Sequence, residues 1–136
     1  MTLTRSLVFA AAAAATVTVL ACSNSNSPDG ELRTGMWGGP RVGLSVEATR
    51  VTFLFDCAGG LVESTIPSSA DGSFDVTGTF TNGGNARDVD RTPHPARYFG
   101  RVSGTHVTFT RVLLDGSKPD ATFSARFGAA PEVIAC

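Results

Sequence analysis

The chain has 136 residues, 42% hydrophobic, 17% charged and 8% aromatic, with 11 basic and 12 acidic side chains and a formal net charge of −1. That is one domain's worth of ordinary folding sequence. It excludes chain-wide disorder and a large multidomain enzyme, and the balanced charge supplies no field for capturing nucleic acid.

Residues 1–21 read as an export signal. Arg5 is the single positive charge of the leading segment, and Leu7 to Ala21 is an unbroken run of apolar residues and Thr. The run is shorter than the about 20 residues a helix needs to cross a bilayer. Val19-Leu20-Ala21-Cys22 resembles the lipobox of bacterial lipoproteins. That resemblance implies that the Cys22 thiol is joined to diacylglycerol and becomes the mature N-terminus, anchoring the protein to a membrane through its acyl chains. The alternative is ordinary cleavage after Ala21, leaving Cys22 a free thiol. Cysteine parity favours the lipid: Cys22, Cys57 and Cys136 are an odd set for an exported chain, and consuming Cys22 leaves a pair.

Residues 22–34 read as the lipidated cysteine and a flexible tether, because Ser23 to Thr34 is polar, broken by Pro28 and Gly30. Such a segment spans about 20 Å root-mean-square. Ser23, rather than Asp, follows the cysteine; by the enterobacterial sorting rule that the lipoprotein resemblance implies, this favours the outer membrane.

From Gly35 to Cys136 the dominant period is two, with turn residues every eight to twelve positions, as in an all-β sandwich or barrel. Trp37 to Glu47 reads as the opening strand. Val51, Phe53 and Phe55 alternate with polar neighbours before a Cys57-Ala58-Gly59-Gly60 turn, and Leu61 to Ile66 returns as far as Pro67. Asp71-Gly72 introduces Ser73 to Thr81, where Phe74, Val76, Gly78 and Phe80 share one face; Asn82 to Asn85 ends it. Ala96 to Val102 and Thr105 to Leu113 flank Ser103-Gly104, a tight hairpin. Asp115 to Asp120 turns into a strand carrying Phe123, Ala125 and Phe127, and Glu132 to Ala135 reads as the last.

About eight antiparallel strands result, and they bury their apolar faces by closing into a small meander barrel or, alternatively, by splitting into a two-sheet sandwich. In the favoured barrel, strands two and eight end at the same rim, where Cys57 and Cys136 fall and should be bonded. Inward Phe53, Phe55, Phe74, Phe80, Phe109, Phe123 and Phe127 then fill most of the interior, which favours a partner at a rim or outer face over a ligand inside.

Gly35-Met36-Trp37 resembles the G-x-W of calycins, the lipocalin and avidin-like barrels. The resemblance implies that the indole plugs one end and that a late basic residue, Arg126 by position, stacks on it; strand alternation alone points Arg126 outward. Trp37-Gly38-Gly39, Asp56-Cys57-Ala58-x-Gly60, Asp71-x-x-Phe74 with Gly78, and Pro95-Ala96-Arg97-Tyr98-x-Gly100-x-Val102-x-Gly104, closing on Cys136, resemble a family of small exported bacterial proteins. That likeness implies export and no particular activity, and it departs at Pro40 and at Asn82 to Asn85. The architecture is similar to the barrel lipoproteins that inhibit lysozyme, but their Ser-Gly-x-x-Tyr loop is missing. Only Tyr98 remains of it, so no inhibitory residue carries over.

The most polar loop, Arg87 to Pro95, offers Asp88, Asp90 and His94 as ligands for a hard or borderline cation. The favoured alternative is that Arg87 and Arg91 neutralise the two carboxylates while Pro93 and Pro95 stiffen a solvated loop. Neither Gly-x-Ser-x-Gly nor His-Glu-x-x-His occurs, and no Cys/His pairing suggests a nucleophile with its base. Glu63 and Asp75 could meet across strands as paired acids or simply face water, and His106 reads as an exposed strand residue. Arg97, Tyr98 and Arg101, extended by Arg111, form the one basic and aromatic grouping on a strand, a composition common in contact surfaces. The expected protein is therefore an exported, lipid-anchored binding module with no cofactor, acting on an envelope protein or a small apolar ligand through Trp37 or the Arg97–Arg101 strand, its barrel domain monomeric. A passive envelope protein and a lysozyme-inhibitor-like protein are the alternatives; an enzyme is disfavoured.

Overall fold

A computed structural model describes residues 32–84, 87 and 89–136; the leader, Cys22 and Asp88 lie outside them. Eight strands run β1 (Gly35–Gly39), β2 (Val42–Val46), β3 (Val51–Phe55), β4 (Ala58–Val62), β5 (Ser73–Asn82), β6 (His94–Ser103), β7 (His106–Leu113) and β8 (Ala121–Phe127). Each pairs antiparallel with the next, and β8 returns to β1 through Trp37 opposite Phe127 and Gly38 opposite Arg126. That last pairing closes the barrel and removes the sandwich alternative.

Two of the strand readings change the count, and they cancel. Trp37 to Glu47 is a hairpin rather than one strand: Pro40 cannot donate to a ladder, Arg41 takes a left-handed φ of 63°, and β1 folds back on β2 with Trp37 opposite Leu44. Glu132 to Ala135 forms no strand and makes only an isolated parallel bridge from Glu132 to Pro40. Gly59 and Gly60 belong to β4 rather than to a turn, which is confined to Asp56 and Cys57, the latter at φ 52°, and the strand expected over Leu61 to Ile66 stops at Val62.

The alternation does place the core. Val51, Phe53 and Phe55 are buried while Thr52 and Leu54 are exposed, and the same pattern continues through Phe74 and Phe80, Val107 and Phe109, Phe123 and Ala125. Phe53 stacks on Tyr98 with centroids 4.2 Å apart, and Phe109, Phe123 and Phe55 continue the cluster at 4.8–5.6 Å. Phe127 departs from the expected inward set. It lies where β8 runs out at the rim, 37% exposed and edge-on to Trp37 at 5.3 Å.

The meander gives the barrel two unlike ends. At the N-terminal end lie the β2–β3, β4–β5 and β6–β7 connections; Leu32 and Ile66, which flank strands there, are buried in the common core. The domain thus starts before residue 35, and Leu32 is not part of a wholly polar tether. The far end, or mouth, carries the β1–β2, β3–β4, β5–β6 and β7–β8 connections.

After β8 the chain runs back along the outside of the barrel from one end to the other. Gly128 N–H bonds to Met36 O, Glu132 N–H to Gly39 O, and Cys57 N–H to Ile134 O. Gly38 and Gly43 face this arm, and a Cβ on either would collide with Ala129 and Ala130 or with Pro131. The glycines therefore make a track in which the arm lies. Cys136, at the arm's end, reaches Cys57 after β3 with Cα atoms 5.1 Å apart, at disulfide distance. The expected pair is right; the route is the arm, rather than the rim ends of strands two and eight.

Candidate functional site

The basic and aromatic grouping on β6 does not form one surface. A strand sends successive side chains to opposite faces, so Arg97 and Arg101 point outward and Tyr98 points into the core. Arg97 grips Asp75 through Nε and Nη2 at 2.8 and 2.6 Å and lies 4.6 Å over the Phe99 ring. This charge-assisted fork lowers the Asp75 pKa and raises that of Arg97. Glu63 lies past the end of β4, out of register with Asp75, so the two acids do not pair across the strands. Arg101 reaches Asp71 at 3.3 Å. Tyr98 is fully buried; its hydroxyl donates to Thr79 O at 2.7 Å, and burial pushes its pKa well up. The ring rests over Gly60, where a Cβ would strike the hydroxyl.

Trp37 is likewise fully buried, and its Nε1–H donates to Arg33 O at 3.0 Å. It meets Phe127 rather than a basic residue. Arg126 sits opposite Gly38 and is exposed, so the stacking that the calycin likeness implies is absent; Arg33 instead lies over Phe127 at 5.8 Å.

Of the candidate metal ligands, Asp90 and His94 come together, Asp88 is outside the described residues, and the third partner is Asp115. His94 Nδ1 is 2.6 Å from Asp115 Oδ2 and Nε2 is 3.0 Å from Asp90 Oδ2. The second contact is an ion-pair approach without hydrogen-bond alignment. With a carboxylate at each ring nitrogen, the group is a clasp for a protonated imidazole that ties the β5–β6 connection to the β7–β8 turn. Asp115, first through its hydrogen bonds from Ser117 and then His94, drops to about 2; His94 is raised, chiefly by Asp115. Among the described residues no group of three or more His, Cys, Asp or Glu is arranged to hold a metal ion.

The unexpected site is at the mouth. Arg111 does not extend the outer basic grouping: on β7 it alternates in phase with Val107, Phe109 and Leu113 and so points inward, only 7% exposed. Its Nη2 donates to Pro119 O at 3.0 Å, and its guanidinium lies 4.6 Å over Phe80 and 5.7 Å from the Phe55 centroid. Lys118 Nζ lies over the same Phe80 ring at 5.4 Å. Arg111 Nε, sealed from water, has no hydrogen-bond partner among the described residues. Desolvation lowers the Arg111 pKa from its usual value. Beside these cations is a pocket of about 170 Å³ walled by Phe55, Phe80 and Phe123, with Arg41 and Asp56 at its edge. Asp56 is already engaged, by Ile134 N–H at 2.8 Å and Arg41 Nε at 2.7 Å, which in that order hold its pKa down. The pocket thus sets two cations, Arg111 and Lys118, beside a wall of aromatic rings.

Comparison with family models, with curated proteins and with solved structures found no match for this chain. Its function is therefore argued from geometry and sequence.

Proposed function

We propose that this chain is a non-enzymatic binding module of the bacterial cell envelope, exported and anchored by lipid on Cys22, with the outer membrane favoured by Ser23. The observation that carries the reading is the cysteine geometry. Cys57 and Cys136 stand at disulfide distance, which leaves Cys22 as the one thiol without a mate and available for acylation. The topology is compatible with that anchor: the described chain enters the barrel at the end opposite the cationic mouth, so the mouth is not the tethered end. Binding is favoured over catalysis because the groups at the mouth are cations and rings, while Asp56, the acid at its edge, is held by Arg41 and a backbone N–H.

Intact-mass spectrometry of the mature protein tests this directly. The expected species starts at Cys22, carries two or three acyl chains and lacks the two hydrogens of the 57–136 bond. A chain retaining its leader, or an unmodified Cys22 at the N-terminus, overturns it.

A further inference from the structure

We infer that the far mouth is a binding site for a small organic carboxylate, with Arg111 as its principal anion contact and the Phe55, Phe80 and Phe123 rings receiving the ligand's apolar part. The inference rests on the binding-module reading and names the ligand class for it.

Arg111 is at a position where the barrel's alternation calls for an apolar side chain. A guanidinium there loses water and must be repaid by partners. Stacking on Phe80 and one bond to Pro119 O supply part of that, but Nε–H remains buried and unpaired. An unpaired donor on a charged group is the costliest kind to bury. Lys118 adds a second cation over the same ring, and among the described residues neither it nor Arg111 has a carboxylate within ion-pair distance. Asp120 acts on Arg111 only through space. Two like charges converging on one ring, with a donor left over, are explained by an anion that joins them.

The pocket selects the kind of anion. A neutral apolar compound would leave Nε–H unpaired, and a cation would be repelled. A hydrated inorganic dianion gains nothing from three phenyl rings. A carboxylate matches the planar guanidinium fork and carries an organic group to set against the rings. The volume of about 170 Å³ is below the roughly 300 Å³ at which drug-sized pockets begin, which excludes a fatty acyl chain and leaves a short or singly aromatic acid. The Leu114–Asp120 connection is exposed throughout, and its Lys118 and Pro119 line the pocket beside Arg111.

The test is a titration of the isotope-labelled mature protein with benzoate, following the Arg111 Nε–H resonance by NMR. A saturable shift of that signal is expected, with benzamide, the neutral counterpart, producing none. Arg111→Met should weaken benzoate binding about tenfold or more, the scale of losing a charge-assisted fork. Lys118→Ala, on an exposed loop and harmless to the fold, should weaken it about threefold. If Arg111→Met fails to fold, Lys118→Glu keeps the proposal at risk: it should abolish the shift. No saturation at millimolar benzoate, equal binding of benzamide, or saturation by inorganic phosphate with none by benzoate overturns the inference. Failure here with an acylated Cys22 leaves the anchored-module reading standing; benzoate binding with an unmodified Cys22 removes the anchor and keeps the site.

Discussion

The two ends of the barrel solve the same closure problem with opposite chemistry. At the N-terminal end Leu32 and Ile66 are buried against the core, and Trp37 meets Phe127 edge-on with its indole N–H satisfied by Arg33 O. At the far end the aromatic stack runs up to Phe55, Phe80 and Phe123 and stops at a cation, Arg111, whose Nε–H is unpaired. An apolar plug is the cheap solution, and the first end uses it. The mouth forgoes it, a departure from the fold's own pattern of the kind expected of the site proposed there.

The arm is what ties the mouth to the barrel wall. Cys136→Ser removes a link spanning 79 residues, and the chain-entropy account assigns such a link about 4 to 5 kcal/mol. Urea unfolding should show the corresponding fall in midpoint, and hydrogen exchange should show the Arg41 and Cys57 amides, bonded to Glu132 O and Ile134 O, losing protection first. Unchanged exchange at those amides would mean that the arm holds without its staple.

Next in size is the plug. Trp37→Ala empties the largest fully buried side chain and should cost about 3 to 5 kcal/mol, as for other buried aromatics; Leu32→Ala, smaller and nearer the rim, should cost about 2 kcal/mol. Both are read from denaturant midpoints. Arg111→Met at the other end should run the opposite way. It nearly keeps the volume and leaves a thioether against Phe80; it gives up the cation's contact with that ring and the bond to Pro119 O but removes an unpaired donor and a desolvated charge, so stability should rise by about 1 kcal/mol. Trp37→Ala destabilising and Arg111→Met stabilising, measured in the same urea series, would sharpen the contrast into a trade of stability for binding; a strong loss from Arg111→Met would make Arg111 a structural post.

Much of this contrast is written in strand phase. The period-two runs identify an all-β meander, and Val107, Phe109, Arg111 and Leu113 share one phase, so the inward arginine is visible in the sequence once phase is given precedence over charge. Tyr98 is the same case: reading Arg97, Tyr98 and Arg101 as one patch overlooks that neighbours on a strand face opposite ways. The arm is another matter. Gly38 and Gly43 carry no side chain to betray a covered outer face, and Ala129 to Pro131 has neither periodicity nor turn signal that would lay it there. Gly39-Pro40 does signal the β1–β2 turn, and reading Trp37 to Glu47 as one strand lets the apolar residues on both sides outweigh it. The His94–Asp115 contact joins the first residue of β6 to the β7–β8 connection, 21 residues on, and no local pattern brings them together.

That contact gives the smallest effect and a pH dependence confined to the mouth. His94 is raised above its ordinary 6.5, with Asp115 as the leading cause, so what the clasp contributes is fully present below pH 6.5 and is lost as pH rises through the higher folded value. Asp115, lowered from 3.8 to about 2, contributes above pH 3.8 and ceases as pH falls towards 2. The clasp therefore holds between these limits and opens on the alkaline side first. An NMR titration of the His94 ring should place its midpoint above 6.5. Asp115→Asn should bring that midpoint down further than Asp90→Asn does, because the Asp115 contact is the shorter and the aligned one, 2.6 against 3.0 Å. Ring shifts on the N-terminal side, at Trp37, should not follow the transition, since the groups that titrate belong to the opposite rim. A Trp37 response at the His94 midpoint would show that the two ends are coupled through the aromatic stack and that the mouth's chemistry is felt throughout the barrel.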